Sequence, residues 1–270
     1  MLVVEDFNDT VKCIKTATIQ DGEPIMWVYS YLAHDVMFDA GCANAASDFK
    51  RIKNEYDISR IFISHAHEDH FGGLSVLADK CEVFAPKLAH DELMHPTELD
   101  EFFQFVWGQP KGIQSVNDMP KSFQVQELNF KVIELPGHHQ HMVGFHEPEK
   151  GWLFSADAVP LPSKKYIAMP DENIPMMVDT MKRISELDLE VLFDAHKGPI
   201  IDPQEHIKRR IDYLTETQQR VRDLNRKGMT VKEIVAEMGW EGPWYLGLTE
   251  GRFGIDFLVK SMLHDKAQEQ

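Results

Sequence analysis

At 270 residues, 43% hydrophobic and 27% charged, the chain is long enough to bury a sizeable core and carries no Ser-, Gln- or Pro-rich stretch, so one principal domain with a modest appendage is expected. Twenty-eight basic residues against 44 acidic ones give a net charge of −16, a surface that repels phosphate backbones and makes nucleic acid an unexpected partner. The opening MLVVEDFNDT has no basic stretch followed by a long apolar run, and about 18 apolar residues never occur in succession, so no membrane span is expected and a cytoplasmic location is the reading. Cys13, Cys42 and Cys81 are odd in number and form no C-x-x-C pair, which points to neither a disulfide framework nor a thiolate metal site.

In chain order, residues 25–31 and 36–39 read as strands, 45–55 as a helix and 60–64 as a short buried strand with two isoleucines. A helix is expected at 71–78, a strand at 82–85, and an acidic helical segment at 90–106 that Pro96 interrupts. The second half repeats the rhythm: strands at 123–125, 130–135 and 152–155, a helix at 176–187 and a strand at 191–194. From Pro203 the pattern is purely helical, with Ile207, Ile211, Leu214, Val221 and Leu224 at helical spacing and Gly228 placed to end the helix. Thr230 and Glu233 then form a capping box, and a last helix is expected from about 251 to 263. The expected layout is mixed α/β with its chemistry at strand ends, divided into a domain at 1–202 and a helical extension at 203–270.

The segment Ile63-Ser64-His65-Ala66-His67-Glu68-Asp69-His70-Phe71-Gly72-Gly73 carries the chemistry. An H-x-H-x-D-H run is far more specific than a lone H-x-x-H, and neutral imidazoles with a carboxylate are zinc's preferred ligands when no thiolate is offered. Residues i and i+2 of an extended chain point to one side, so His65 and His67 can share one metal while Asp69 and His70 turn towards a second. A solvated polar loop is the bland alternative; it is disfavoured because crowded imidazoles repel on protonation unless a metal organises them. Further candidates follow apolar runs: Pro136-Gly137-His138-His139-Gln140-His141, Ser155-Ala156-Asp157 and Ala195-His196-Lys197-Gly198.

In that order and spacing, H-A-H-E-D-H with Gly-Gly, P-G-H-x-x-H, S-A-D and A-H-K-G resemble the metallo-β-lactamase superfamily over about residues 15 to 200. The resemblance implies an αββα sandwich with metals at one edge. It implies two zinc ions, the first held by His65, His67 and His138, the second by Asp69, His70 and His196, with Asp157 bridging. Asp39 matches an early aspartate that supports the metal loop without binding metal, and His141 matches a packing position. The implied reaction is hydrolysis by a hydroxide shared between the metals, with Asp69 orienting it and moving its proton.

No cysteine lies in a ligand motif, unlike true β-lactamases that place one in the second site. The resemblance therefore points to a small-molecule ester, thioester or lactone, as in glyoxalase II-like and lactonase-like members. Iron or manganese are the alternative metals. A diiron redox enzyme is the first rival, but relatives of that kind replace the second histidine of the motif with glutamate, where this chain keeps His67. A phosphodiesterase or nuclease is opposed by the net charge. A regulatory binding protein that uses the helical tail as contact surface is the third rival, and a homodimer stays open. His34, His90, His95, His146, His206 and His264 have no motif around them and read as surface or core histidines. Trp107, Trp152, Trp240, Trp244 and Tyr245 read first as core, with the last three also candidates for a substrate pocket.

Overall fold

The computed structural model describes residues 1–160 and 166–264, which form two compact units. The first contains Met1–Glu134, Val143–Ala156 and Leu189–Ile201; the second contains Leu135–Met142, Asp157–Asp188 and the chain from Asp202 onward.

All paired strands but one small ribbon in the first unit fall into two sheets. A seven-stranded sheet has the order β1 (Leu2–Asp6), β2 (Val11–Thr16), β5 (Val28–Ala33), β6 (Val36–Phe38), β7 (Arg60–Phe62), β8 (Glu82–Ala85) and β9 (Asn117–Asp118). Its β1 to β6 half is antiparallel, and β6, β7, β8 and β9 run parallel. The ribbon of β3 (Ile19–Gln20) and β4 (Glu23–Pro24) turns at Asp21-Gly22, both at positive φ, the Asp-Gly signature of a tight hairpin. The second, six-stranded sheet runs β10 (Ser122–Val125), β11 (Leu128–Glu134), β12 (Val143–Glu147), β13 (Trp152–Ala156), β14 (Val191–Asp194) and β15 (Gly198–Ile201), antiparallel except where β13 and β14 pair in parallel.

The two sheets face each other through an aromatic core. Cys13, Tyr31, Phe38 and Phe62 from one sheet meet Phe130, Phe145, Phe154 and Phe193 from the other. Phe38 is its hub, with ring centroids 4.3 Å from Phe154 and 4.8 Å from Phe145, and Phe154 stacks on Phe193 at 4.3 Å. Strand alternation sends Ile14, Leu32, Met37 and Ile61 to the opposite face of the seven-stranded sheet, where they are also fully buried. Parallel strands covered on both faces need helices outside. The buried Phe49 and Ile52 of α1 (Phe49–Glu55) and Leu74 and Leu77 of α3 (Leu74–Leu77) supply that apolar cover. The remaining helices of this unit are short: α2 (Glu68–Phe71), α4 (His90–Met94) and α5 (Glu101–Val106).

The second unit is helical, built from α6 (Ile174–Ser185), α7 (Gln204–Arg226), α8 (Val231–Met238) and α9 (Ile255–Leu263). The expected stripe on α7 buries Ile207, Leu214, Val221 and Leu224, while Ile211 is only half-buried. The Thr230/Glu233 capping box forms, and Gly239 ends α8 in the left-handed conformation. Among the described residues no helix is long and apolar enough to cross a membrane.

Several elements differ from the sequence expectation. The 90–106 segment is two short helices flanking Pro96, because proline cannot continue a helix. The strand expected at 25–31 begins at Val28, leaving Ile25 and Met26 exposed. Strands β1, β2, β12 and β15 lie outside the expected strands altogether.

Candidate metal centre

Parallel pairing of β6 and β7 places their C-terminal ends side by side, which brings Asp39, just after β6, against the loop after β7. Asp39 is 6% exposed and sits at φ +57°. One carboxylate oxygen accepts the Ser64 backbone N–H at 2.8 Å; the other accepts the Ser64 hydroxyl at 2.9 Å and His70 Nδ1–H at 2.8 Å. The Ser64 hydroxyl lies 3.0 Å from His65 Nδ1 and can accept its proton, so one aspartate orients two imidazoles, the first through a serine.

After His65 and His67, whose rings are 4.5 Å apart, the chain turns into α2, which carries Asp69 and His70. The Gly-Gly that follows has a steric cause. A Cβ on Gly72 would meet the Ala43 backbone nitrogen at 2.1 Å, since Gly72 N–H donates to the Gly41 carbonyl at 2.7 Å. That close approach seats α2 directly on residues 40–43.

His196, just past β14, joins this group. Its backbone N–H and that of Lys197 donate to one Asp194 oxygen, at 2.8 and 2.7 Å, which fixes the turn, and its Nδ1–H donates to the Trp27 carbonyl at 3.0 Å. Its ring lies 6.2 Å from that of Trp107. The ligand atoms of Asp69, His70 and His196 all lie within 4.8 Å of one another, with Asp69 Oδ2 3.5 Å from His196 Nε2 and 3.8 Å from His70 Nε2. Zinc with bonds of about 2.1 Å spans about 3.4 Å along a tetrahedral edge, so this donor set fits a small divalent metal. Hydrogen bonds at Nδ1 leave Nε2 as the lone-pair nitrogen in His70 and His196, the tautomer a metal requires.

The helical unit carries the other two candidates. His138 Nε2 lies 3.8 Å from Asp157 Oδ2, and its Nδ1–H donates to Glu172 Oε1 at 2.8 Å. Glu172 is itself anchored: its second carboxylate oxygen accepts Met169 N–H at 3.1 Å, and its carbonyl accepts the Ser261 hydroxyl of α9 at 2.6 Å. Gly137, at φ +139°, lets the His138 turn press onto α6, where a Cβ would come within 2.5 Å of Met177 Cα. Asp157 follows a register shift in the β13–β14 pairing, with Ala156 at positive φ, an irregularity that re-aims the chain.

His139 and His141 stand with rings 6.2 Å apart; burial lowers the His139 pKa, partly opposed by Asp171. Cys42 is fully buried, and burial raises its thiol pKa. Motif reading did not reach Glu172, Ser64, Asp194 or the Trp27 carbonyl. A backbone carbonyl leaves no trace in a sequence, and Glu172 is one acidic residue among many.

The sequence pattern of the metallo-beta-lactamase superfamily matches residues 28–196. A hydroxyacylglutathione hydrolase of Legionella pneumophila (strain Corby) is 31% identical over 109 residues, 39% of this chain and 35% of that protein, so the match spans about a third of that relative's length. A probable metallo-hydrolase, YqjP, of Bacillus subtilis (strain 168) is 25% identical over 240 residues, 75% of each chain. Among solved structures, a beta-lactamase domain protein from Burkholderia ambifaria shares the fold with a TM-score of 0.71 at 14% identity, covering 96% of this chain and 85% of that one. A metallo-beta-lactamase family protein from Thermus thermophilus gives 0.66 at 17% identity, covering 96% and 93%. The family's match runs from β5 to His196, through the H-x-H-x-D-H run and each later strand-end motif, and the chain, with its αββα-class fold and C-terminal helices, belongs to the metallo-β-lactamase superfamily.

Proposed function

We propose that the protein is a dinuclear zinc hydrolase of small-molecule esters, thioesters or lactones, working in the cytoplasm, with His65, His67, Asp69, His70, His138, Asp157 and His196 as its metal ligands. The observation that carries the reading is the Asp69, His70 and His196 triad, its ligand atoms within 4.8 Å of one another and the far nitrogens of both imidazoles held by hydrogen bonds. Membership of the superfamily and likeness to a hydroxyacylglutathione hydrolase support an acyl substrate.

Two zinc ions supply an acidified water as nucleophile and a Lewis acid for the scissile carbonyl. Asp69, its Oδ2 3.5 Å from His196 Nε2, would help hold the second metal, orient the nucleophile and take its proton. Asp39 and Glu172 keep His70 and His138 in their ligating tautomers. A serine or cysteine nucleophile has no part in this scheme.

The test begins with metal content per chain by plasma mass spectrometry on protein purified without chelators, followed by a screen of thioesters, lactones, esters and phosphodiesters. About two zinc equivalents and turnover of an acyl substrate are expected, with Asp69→Asn lowering turnover by at least about 10²-fold. Hydrolysis undiminished in that variant, or iron as the resident metal, overturns the reading.

A further inference from the structure

Arg210 on α7 is 7% exposed, and among the described residues its guanidinium Nε is buried with no hydrogen-bond partner and the side chain forms no ion pair. Its neighbours on the helix behave differently: Lys208 pairs with Asp212 and Arg209 with Glu205, both in exposed i,i+4 bridges. Among the described residues no carboxylate pairs with this side chain. Arginine does not escape burial by deprotonating, so an unpaired guanidinium lowers stability until an anion reaches it. The Tyr213 ring lies 5.0 Å from the guanidinium, a cation–π contact.

The surroundings are those of a binding corner. Tyr213 is 38% exposed, so this corner borders solvent. Burial raises the Tyr213 hydroxyl's pKa, and the nearby Tyr166 raises it further while Arg210 opposes, which places all three in one electrostatic neighbourhood. Tyr166 in turn stacks on Trp240, centroids 5.1 Å apart and rings within 9° of parallel. The buried cation thus has the Tyr213 ring against it, and the stacked Tyr166 and Trp240 belong to the same compact unit. The stretch that carries Tyr166 also carries Met169 and Glu172, and Glu172 holds His138, so the corner and a metal-ligand candidate share one short segment.

We propose that Arg210, with Tyr213, Tyr166 and Trp240, forms an oxyanion-recognition corner that receives a carboxylate or phosphate carried by the substrate, while the rings take its apolar or planar part. The guanidinium fork matches either group with two parallel N–H···O bonds. Assignment of the anion to the substrate rests on the hydrolase reading; the corner's affinity for oxyanions does not.

Two measurements on the zinc-loaded protein separate these statements. Calorimetric titration with succinate and, separately, with inorganic phosphate compares wild type with R210M and R210K. Any anion taken by the metals is common to all three proteins, so the corner appears as binding present in wild type, weakened about tenfold or more in R210M and partly kept in R210K. Kinetics with succinyl and pentanoyl thioesters of one thiol then read the substrate: the rise in KM caused by R210M is expected to be at least about tenfold larger for the succinyl compound. Replacing an uncompensated buried charge with an apolar side chain of similar length leaves R210M melting at or above wild type, so loss of binding cannot be blamed on unfolding. Identical titrations for wild type and R210M overturn the corner, and so does a marked fall in the melting temperature of R210M. Arg210-dependent anion binding without turnover of any ester or thioester keeps the corner and overturns the hydrolase reading.

Discussion

Asp39 shows how much of a candidate metal site is set by a residue outside the candidate ligands. Both its oxygens act as acceptors, for the Ser64 backbone and hydroxyl and for His70, and no amide can reproduce the pattern, because an NH2 group in place of Oδ2 confronts two donors. Asp39→Asn keeps a side chain that tolerates φ +57°, yet is expected to weaken metal binding by about 10- to 100-fold, read by competition with a chromogenic chelator. Unchanged affinity would remove Asp39 from the site. Glu172→Ala tests the same idea at His138, with a comparable loss expected in the same assay. The legibility of the site follows from this. The ligand motifs stand out because their residue types cluster along the chain, whereas Glu172 meets His138, and Trp27 meets His196, only through long-range folding.

At the scale of elements, signals that are local in sequence were readable. The capping box at Thr230 is one, with the Thr230 hydroxyl accepting Glu233 N–H and the Glu233 carboxylate accepting Thr230 N–H at 2.8 Å. Thr230→Ala is expected to cost about 1 kcal/mol, measured as a shift in the urea midpoint with unchanged slope. A shift below about 0.3 kcal/mol would mean that packing alone sets the start of α8. Strand β12 was not readable: Val143-Gly-Phe-His-Glu147 is buried at every position, so polar His146 and Glu147 break the alternation that marks a half-exposed strand. Helix α2 has four residues, too few for any period, and is held instead by hydrogen bonds from residues 40, 72 and 73 to its surroundings. The helical segment at 90–106 failed at Pro96 for the reason proline always supplies, a missing N–H and a clash with the preceding turn.

For the molecule as a whole, the sandwich unit carries His65, His67, Asp69, His70 and His196, and the helical unit carries His138 and Asp157. Only the native fold brings His196 to Asp69 and His70, so metal that binds only the native state stabilises it, by about 2.7 kcal/mol at a hundredfold excess over Kd. Dialysis against a chelator is therefore expected to lower Tm by roughly 5 °C or more, and stoichiometric zinc to restore it. Scanning calorimetry checks this, and a Tm indifferent to chelation would count against resident metal.

The tryptophan beside His196 has an optical consequence. Trp107 places its indole 6.2 Å from the imidazole that the Trp27 carbonyl orients, so one of the chain's five tryptophans borders that candidate metal position. A paramagnetic ion seated there quenches indole emission, whereas zinc, with its filled d shell, does not. Cobalt(II) titrated into the metal-free protein should dim the fluorescence in step with occupancy, zinc should restore it, and Trp107→Phe should remove most of the response. The protein carries its own meter for metal arriving at that triad.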